Sequence, residues 1–516
     1  MEELEVGDNV TPLQSTAAVQ TIKIAASENG ILKEEEVLVK GKARKLVMCE
    51  SGLQLVCHEN KSGPNIENPV FSIAWVDIVC ACETSSGKSK AVDKNTDTPS
   101  QNSYTVQQAG RKFSIHYITR KAGSKKLSCT NMVMEVKNGT VGDWIQQIEE
   151  RRKHGKPKKL LVLINPIGGS GSGRQTFEKL VRPLFDLAGL ELVVRVTERA
   201  KHGEEIGNTF DFSSVDGVVT VGGDGMYMEV LHGMVLRKQQ ENGIDFNNPD
   251  ASLIPPDICF GIIPAGTGNA LTGWWNGVLD AKTAALNIIR GESHLVNMNA
   301  IFEPGKLIHY SGLHLGYGFF SEIIKKSEDR RWMKKARYPY AFLTSTFGKK
   351  QVYDIDMEVL VNSDTQEVNK EINNAASPSS VFNWKKLGVK HTTGLLAFVL
   401  EVVPKEMSDK CQMNFLSDKA SLVLFNLAGG VDILKFMVSF ATQNKEMIEK
   451  RYIEHYQVKG IRLKLVNNDQ ANSASTQEHG FEKILNIDGE VIPCSVPQIE
   501  VRLHNQFLRA FSVLPK

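Results

Sequence analysis

With 516 residues, the chain is too long to fold around one ordinary hydrophobic core, and two to four domains are expected. Apolar residues make up 41% of it and charged residues 23%, a composition typical of globular proteins rather than of disordered or fibrous ones. The formal net charge of +2 lacks the basic excess of a nucleic-acid-binding protein, so no nucleic-acid partner is predicted.

Cysteine usage and hydropathy predict the compartment. Cys80 and Cys82 are too close together for the usual metal knuckle, and no histidine pair accompanies them, so no metal site is predicted. Scattered thiols suit a reducing cytosol, and the acidic N-terminus is not a signal peptide. The apolar stretch 420–440 is interrupted by glycines and charges, which favours a strand followed by a helix over a membrane span. We therefore expect a cytoplasmic protein, and any association with intracellular or plasma membranes would be peripheral.

Residues 18–155 show the pattern of a small β-domain. Runs rich in β-forming residues at 36–49, 53–57, 70–82 and 112–118 are separated by polar turns, including a loop at 85–103 with almost no core-forming residues. A helix at 142–152 follows and carries Trp144 on its apolar face. Strands followed by such a helix resemble a pleckstrin-homology domain; some other small β-domain is the alternative.

That resemblance implies membrane targeting by residues 18–155. Basic side chains near the first predicted strand, at Lys40, Lys42, Arg44 and Lys45, would meet anionic head groups such as those of phosphoinositides. A solvated charged face is the alternative for these four residues.

Strand–loop–helix units begin after a basic linker at 155–159. Apolar runs at 159–165, 190–196, 217–221 and 259–263 alternate with helices predicted at 176–188, 202–208 and 226–236, which indicates a parallel α/β sheet. From about residue 300 short β-type runs dominate, such as 355–361, 394–403, 420–425 and 499–504, and predict an antiparallel β-sandwich. The sequence thus predicts an α/β plus β protein with domains at 18–155, 156–299 and 300–516.

The first of three glycine-rich turns follows the strand at 159–165. Its closely spaced glycines let the backbone approach a phosphate, and the next helix offers unpaired N–H groups. The turn matches neither the P-loop nor the dinucleotide-binding spacing, and taken alone it could be a flexible surface turn. Its candidate residues are Asn165, Gly168, Gly169 and Gly171.

The second turn is the strongest signal and consists of Gly222, Gly223, Asp224 and Gly225. A carboxylate at a glycine-flanked strand tip leaves open space for a phosphate and a nucleophile. Glu229, one helical turn further on, points back toward the same place. The alternative is that Asp224 only caps a helix.

The third turn follows the strand at 259–263 and consists of Gly266, Thr267, Gly268 and Asn269. The side chains of Thr267 and Asn269 can donate hydrogen bonds to phosphate oxygens. The order and spacing of all three turns resemble the diacylglycerol kinase catalytic-domain superfamily, which includes ceramide and sphingosine kinases, over residues 158–516. Segments 227–249, 261–266, 315–319, 327–338 and 486–490 look most like ceramide kinases, which also begin with a pleckstrin-homology domain.

The resemblance implies an ATP-dependent lipid kinase that uses Mg²⁺, with ATP in the α/β domain and a sphingoid lipid held by the β-domain. Asp224 would be the catalytic base that accepts the proton of the lipid hydroxyl. The nucleotide would contact the three turns and six further residues, namely Thr197, Glu229, Arg331, Arg337, Asp488 and Glu490.

The substrate is decided by small differences within the family. Phe319, Glu322 and Ile324 are the predicted lipid-binding residues. Ile324 stands where sphingosine kinases place an acid that pairs with the substrate's ammonium, which favours the neutral amide of ceramide. Glu322 and the sphingosine-kinase-like Thr267-Gly268-Asn269 keep sphingosine open, and diacylglycerol is a weaker alternative.

Three further alternatives remain. A catalytically inactive, ceramide-kinase-like lipid sensor is disfavoured because the turns and both arginines are present. NAD kinases share the Gly-Gly-Asp-Gly turn but would not need residues 18–155. A calmodulin-binding helix at 432–443 is disfavoured because Lys435 is its only basic residue, so a core helix is predicted there instead.

Overall fold

The protein is described here by a computed structural model over residues 31–57, 69–84, 112–137, 139–169, 171–346, 351–361, 383–405, 408–466, 483–494 and 496–512. The chain divides into two compact units, Met1–His154 and Gly155–Lys516. The polar loops predicted at 85–103, 362–378 and 467–479 lie wholly or mostly outside the described residues. Within those residues, no helix is both long and apolar enough to span a bilayer.

The described part of the N-terminal unit is one antiparallel sheet followed by one helix. Its strands pair in the order β4-β3-β2-β1-β7-β6-β5, and the helix buries Trp144 and Ile148 in the core of the sheet. The elements are β1 (Ile31–Val39), β2 (Lys42–Cys49), β3 (Gly52–Cys57), β4 (Pro69–Ala74), β5 (Ile78–Glu83), β6 (Lys112–Arg120), β7 (Leu127–Val136) and α1 (Val141–Arg152). The pleckstrin-homology assignment stays a prediction.

Two runs predicted as continuous in this unit are broken. The run 36–49 is a hairpin of β1 and β2, which turns at Lys40 (φ 49°) and Gly41 (φ 75°). Two consecutive positive φ values match the twist of a two-residue hairpin. The run 70–82 is interrupted by a 3₁₀ turn at Trp75–Asp77. Residue composition favoured strands throughout but did not show where the chain reverses.

The second unit begins with alternating strands and helices. β8, β9, β10 and β11 are parallel neighbours in the order β11-β10-β8-β9, as predicted. A π-helical turn at Phe177–Val181 joins α2 to α3. The elements are β8 (Lys159–Ile164), α2 (Gly173–Thr176), α3 (Arg182–Ala188), β9 (Glu191–Val196), α4 (His202–Thr209), β10 (Gly217–Gly222), α5 (Asp224–Glu241), β11 (Cys259–Pro264), α6 (Ala270–Asn276) and α7 (Ala281–Arg290).

The rest of this unit is rich in β-structure. Its elements are β12 (Ser293–Glu303), β13 (Lys306–Ser311), β14 (His314–Gly318), α8 (Phe319–Glu328), α9 (Arg337–Thr346), β15 (Tyr353–Leu360), β16 (Trp384–Thr392), β17 (Gly394–Phe398), β18 (Glu401–Pro404), β19 (Cys411–Asn414), β20 (Ala420–Phe425), α10 (Gly430–Ala441), α11 (Glu446–Glu449), β21 (Ile453–Val458), β22 (Gly460–Val466), β23 (Lys483–Ile487), β24 (Glu490–Cys494) and β25 (Gln498–Phe511). The sheet β21-β20-β17-β14-β23-β24 shares a hydrophobic core with β12, β15, β22 and β25.

The last strand, β25, joins the two parts of this unit. It pairs in parallel with β11, where Arg509 lies opposite Cys259, and antiparallel with β12 and β22. The parallel and antiparallel strands therefore form one continuous sheet. The domain boundary predicted at 299/300 falls inside β12, and the division into three domains stays a prediction.

Candidate active site

The three glycine turns meet at one edge of the parallel sheet, because β8, β10 and β11 are adjacent and run in the same direction. A Cβ on Gly266 would lie 2.3 Å from the Cα of Gly223, and one on Gly169 would lie 2.7 Å from the carbonyl carbon of Gly266. Gly169 also has φ 65°. Only glycine permits these approaches. The turns therefore form a compact backbone cluster at the carboxyl ends of the strands.

Asp224 is the first residue of α5, yet its side chain caps a different helix. The carboxylate accepts hydrogen bonds from the backbone N–H groups of Ala270 (2.8 Å) and Leu271 (3.2 Å), at the start of α6. Burial raises the pKa of Asp224 to about 6, and the two backbone hydrogen bonds oppose this rise. The side chain is therefore held in place, is ionised at neutral pH, and is more basic than an exposed aspartate.

The Asp-Gly-Glu turn lies beside the second glycine turn although it is distant in sequence. Burial raises the pKa of Tyr227 in α5, and the nearby Asp488 carboxylate raises it further. Glu490 lies close to Gly225, since a Cβ there would be 3.5 Å from Oε1 of Glu490. Asp488, Glu490 and the Gly-Gly-Asp-Gly turn thus belong to one site.

Asp488 has a buried carboxylate whose two oxygens differ in their hydrogen bonding. Its Oδ1 accepts hydrogen bonds from the Ser311 hydroxyl (2.8 Å) and from the backbone N–H groups of Leu313 (3.0 Å) and His314 (2.8 Å). Its Oδ2 is buried and has no hydrogen-bond partner among the described residues. Burial raises the pKa of Asp488 to about 7. An oxygen of this kind is suited to a cation or a bound water.

The two predicted asparagines shape the turns that contain them. Asn165 Oδ1 accepts hydrogen bonds from the N–H groups of Ile167 (3.1 Å) and Gly168 (2.8 Å). Asn269 bonds to both the N–H (3.2 Å) and the carbonyl oxygen (2.9 Å) of Gly266. The amide oxygen of Asn165 and both amide groups of Asn269 are therefore engaged within the protein. Gly222, Thr267 and Gly268 lie in the same backbone cluster, whereas a Cβ on Gly171 would approach only Pro166 of its own turn.

Thr197 and Glu229 are also engaged by neighbouring backbone. Thr197 is buried after β9, and its hydroxyl lies 3.4 Å from the carbonyl oxygen of Ile164, which accepts its hydrogen bond. Glu229 accepts a hydrogen bond from the N–H of Gly203 (3.0 Å) at the start of α4. Burial raises the pKa of Glu229, against the effect of that bond. Glu229 therefore fixes α4 to α5 at the edge of the site.

Arg337, at the start of α9, is bound within the α8–α9 segment. Its Nη1 lies 2.9 Å from Glu328 Oε1, and its Nη2 donates to the hydroxyl of Tyr338 at 2.7 Å. The backbone of Arg331 begins the 3₁₀ helix Arg331–Ala336, and its side chain lies outside the described residues.

An apolar pocket of about 420 Å³ opens next to Asp224. Ala270, whose N–H bonds to Asp224, and Gly489, which follows Asp488, both line it. Its walls come from α6, α8, α9, α10 and the sheet: Trp274, Leu313, His314, Phe320, Ile323, Ile324, Tyr338, Pro339, Phe342, Leu396, Phe398, Leu434, Phe436, Met437, Phe440 and Asn486. A second cavity of about 350 Å³, lined by residues such as Arg462 and Glu500, shares no residue with it.

The three predicted lipid-binding residues have different surroundings. Ile324 lines the pocket. Phe319 is buried behind it, with its ring centroid 5.8 Å from that of Phe320. Glu322 is not among the lining residues, and it accepts a hydrogen bond of 2.5 Å from the hydroxyl of Tyr353. Among the residues that the structure describes, none that lines the pocket carries a carboxylate.

His314 and Asn486 are polar residues of the pocket that sequence reasoning missed. Asn486 Nδ2 lies 3.3 Å from His314 Nε2. Burial lowers the pKa of His314 to about 4, so the ring is neutral. The sequence offered a signal for Asn486, which lies two residues before Asp488 in the family-like segment 486–490. His314, the first residue of β14, lies outside that segment. The aromatic residues of α9 and α10 carried no motif that could have identified them.

Comparisons with known proteins identify the family to which this chain belongs. A family model described as the diacylglycerol kinase catalytic domain matches residues 159–301. Ceramide kinase of Mus musculus is 32% identical, over 69% of this chain and 75% of that protein, and ceramide kinase of Homo sapiens is 30% identical, over 72% and 76%. Sphingosine kinase 2 of Arabidopsis thaliana is 35% identical, over 36% of this chain and 37% of that protein.

The alignments with these two ceramide kinases therefore cover about twice as much of this chain as the alignment with the sphingosine kinase does. They also cover about three quarters of each ceramide kinase. The chain belongs to the ceramide kinase group of the diacylglycerol kinase catalytic-domain superfamily, a group of sphingolipid kinases.

Proposed function

We propose that this chain transfers a phosphoryl group from ATP to the primary hydroxyl of ceramide and so makes ceramide 1-phosphate. One observation carries the proposal: the described residues that line the apolar pocket include no carboxylate, and one of them, Ala270, donates its N–H to the carboxylate of Asp224. Two hydrocarbon chains suit such walls, and a hydroxyl bound beside Ala270 would lie close to a proton acceptor.

Asp224 acts as the general base. Phosphoryl transfer depends on positioning, charge stabilisation and an acceptor for the hydroxyl proton. The hydrogen bonds from Ala270 and Leu271 fix both carboxylate oxygens, and the raised pKa of about 6 increases basicity while leaving the group ionised at pH 7. This role combines capping with catalysis, since the same two bonds that cap α6 orient the base.

ATP would lie over the three glycine turns. The backbones of these turns contact one another, which is possible only because the glycines have no Cβ. Their N–H groups offer hydrogen bonds to phosphate oxygens without a side-chain charge. Mg²⁺, when bound with ATP, neutralises phosphate charge, and Asp488 and Glu490 are the residues that would hold it. The unpartnered Oδ2 of Asp488 fits that role.

Ceramide is favoured over sphingosine by the charge of the pocket. Burying an ammonium without a partner costs several kcal/mol. Ile324 contributes no charge, and Glu322 is bound by Tyr353 rather than free to approach a substrate amine. The neutral His314 and Asn486 can form hydrogen bonds with an amide or a hydroxyl. Sphingosine remains the second candidate because the third turn, Thr267-Gly268-Asn269, resembles that of sphingosine kinases.

The pocket also supports the proposal that the protein associates peripherally with membranes. Leu434 of α10 lines the pocket and is 46% exposed, and Val431 and Val438 on the same helix are each 56% exposed. Leu343 extends this apolar surface onto α9, whose Thr346 contacts the first residue of α10. We name these four residues the α9–α10 surface. A lipid substrate would enter from the bilayer across it.

The N-terminal unit is a second candidate membrane contact. Lys40 and Lys42 are exposed at the β1–β2 turn, where anionic head groups could bind them. Lys45 instead pairs with Glu34 at 2.9 Å. The calmodulin alternative is disfavoured further, because Ile433 and Phe436, apolar residues of the helix at 432–443 that calmodulin would have to contact, are buried in the core.

The decisive experiment compares substrates under one mode of presentation. Purified full-length chain is incubated with radiolabelled ATP and ceramide, sphingosine or diacylglycerol in identical mixed micelles. We expect the highest kcat/KM for ceramide. An equal or higher value for sphingosine would transfer the assignment to the second candidate. Turnover of none of the three lipids would support the inactive lipid-binding alternative.

A further inference from the structure

Strand pairing in the N-terminal unit brings together three side chains that the sequence keeps apart. Cys80 and Cys82 lie on β5, and Cys80 pairs with His116 of β6 across an antiparallel ladder. The two Sγ atoms and a ring nitrogen of His116 all lie within 4.8 Å of one another. The sequence alone predicted no metal site, because it showed two cysteines without a nearby histidine.

The chemistry of this set is that of a zinc site. Zn²⁺ binds thiolate sulfur at ~2.3 Å and imidazole nitrogen at ~2.0 Å in a tetrahedron, which places its ligand atoms roughly 3.5–4 Å apart. The observed spacing needs only small side-chain rotations to reach that range. Two sulfurs and one imidazole also exclude Mg²⁺ and Ca²⁺, which prefer oxygen.

The surroundings hold these ligands in place. Ala81, between the two cysteines, donates its N–H to Glu149 of α1 at 2.8 Å. Glu149 in turn accepts a hydrogen bond from Arg152 Nε at 2.6 Å, which fixes the carboxylate that holds the backbone of Ala81. The strand between the two cysteines is therefore tied to α1.

We propose that the N-terminal unit binds one Zn²⁺ through Cys80, Cys82 and His116, with a water molecule completing the tetrahedron. The ion has a structural role. β5 is the edge strand of the sheet, where the order β4-β3-β2-β1-β7-β6-β5 ends, and the ion ties it to β6. The site is independent of the kinase site and of its proposed substrate.

The test uses the full-length chain, purified without chelators. We expect one zinc per chain by elemental analysis, and a thiolate-to-metal charge-transfer band when Co²⁺ replaces it. Cys82 is exposed, so Cys82→Ser leaves the core intact and should lower zinc content at least tenfold, as should His116→Asn. Cys57→Ser, which changes a cysteine of the same unit outside the cluster, should retain the full content.

Hydrogen exchange supplies a readout that does not depend on kinase activity. With Zn²⁺ at 100 times its Kd, binding raises the ratio of folded to unfolded protein ~100-fold. Removal of the ion by a chelator should therefore speed hydrogen exchange in β5 and β6 by up to that factor. Exchange in β8–β11 should not change. Full zinc content in the Cys82→Ser, His116→Asn double variant would overturn the proposal. So would wild-type protein with neither zinc nor a Co²⁺ charge-transfer band.

Discussion

The glycine-turn cluster and the apolar pocket adjoin each other but are built by opposite means. In the cluster, polar side chains such as Asp224, Asn165 and Glu229 are each fixed by backbone N–H groups. In the pocket, polar side chains are few, and helices that are partly exposed supply the walls. Under the proposed function, the chemical step would depend on fixed charges, whereas lipid selection would depend on shape and on the absence of charge. Substitutions should therefore act on kcat in the first region and on substrate choice in the second.

Removing the proposed base tests the cluster and should have the largest effect. Asp224→Asn should lower kcat by ~10²–10⁴-fold, because the amide cannot accept the hydroxyl proton. The asparagine also loses one of the two bonds to α6, since its NH₂ cannot accept from an N–H. Asp280→Asn is the matched control, because Asp280 caps α7 by accepting from the N–H of Thr283 at 2.9 Å. Near-normal kcat in Asp224→Asn would contradict the assignment.

The same group predicts a pH profile for the wild-type enzyme. The pKa of about 6 for Asp224 means that the base is protonated below that pH. The value of kcat should fall about tenfold for each pH unit below 6 and level off above 7. A flat kcat between pH 5 and 8 would argue against Asp224 as the base.

The buried Asp488 predicts how stability depends on pH. Its pKa is raised to about 7 in the folded state, so between pH 4 and 7 the folded chain holds more protons than the unfolded chain. Stability should therefore fall as pH rises through this window, by roughly 4 kcal/mol for this group. Asp488→Asn keeps an oxygen that accepts from the three donors, and it should remove much of this loss of stability. Urea unfolding at pH 5 and pH 8 measures the change in the free energy of unfolding for the wild-type protein and for the variant. An equal change in the two proteins would count against the argument.

A charge in the pocket should alter substrate choice. Ile324→Asp should reduce kcat/KM for ceramide ~10–100-fold, because it desolvates a carboxylate against a neutral amide, and should raise the ratio of sphingosine to ceramide turnover. Ile324→Asn is the matched control, since it adds polarity without charge. If both variants shift the ratio equally, polarity rather than charge decides.

The α9–α10 surface should matter only when the lipid is in a bilayer. The double variant Val431→Asp, Val438→Asp should lower activity on ceramide-containing vesicles ~10-fold or more. A charged side chain loses the favourable free energy that an apolar side chain gains when it moves from water into the bilayer. Activity on short-chain ceramide in solution should be unchanged. Val389→Asp, at a valine that is 50% exposed on β16, is the control. An equal loss of activity on vesicles in the control variant would contradict a specific role for the α9–α10 surface.

Arg337 should show the smallest effect. If it reaches the ATP phosphates during turnover, Arg337→Ala should raise KM for ATP several-fold with little change in KM for lipid. In the structure it pairs with Glu328, so Glu328→Gln separates the two roles. The same change in KM from Glu328→Gln would mean that Arg337 acts by positioning α8 and α9.

The sequence by itself determined the features that local patterns encode. Continuous apolar runs predicted β8, β10 and β11, and the glycines after each strand predicted where backbone would crowd at the site. The choice of Asp224 as the candidate base followed from its place between glycines. These features depend on residues near one another in the chain, so periodicity and backbone freedom are enough to predict them.

Only the tertiary structure decided which distant segments meet. It made Asp224 the cap of α6, placed Asp488 and Glu490 beside the second turn, and built the pocket from α8, α9 and α10. It also inserted β25 beside β11 and set Cys80 opposite His116. Strand pairing and helix packing are fixed by the burial of whole faces, with free-energy differences summed over many residues far apart in sequence. No single run of residues carries that information, which is why the pocket and the cysteine–histidine cluster became visible only in the fold.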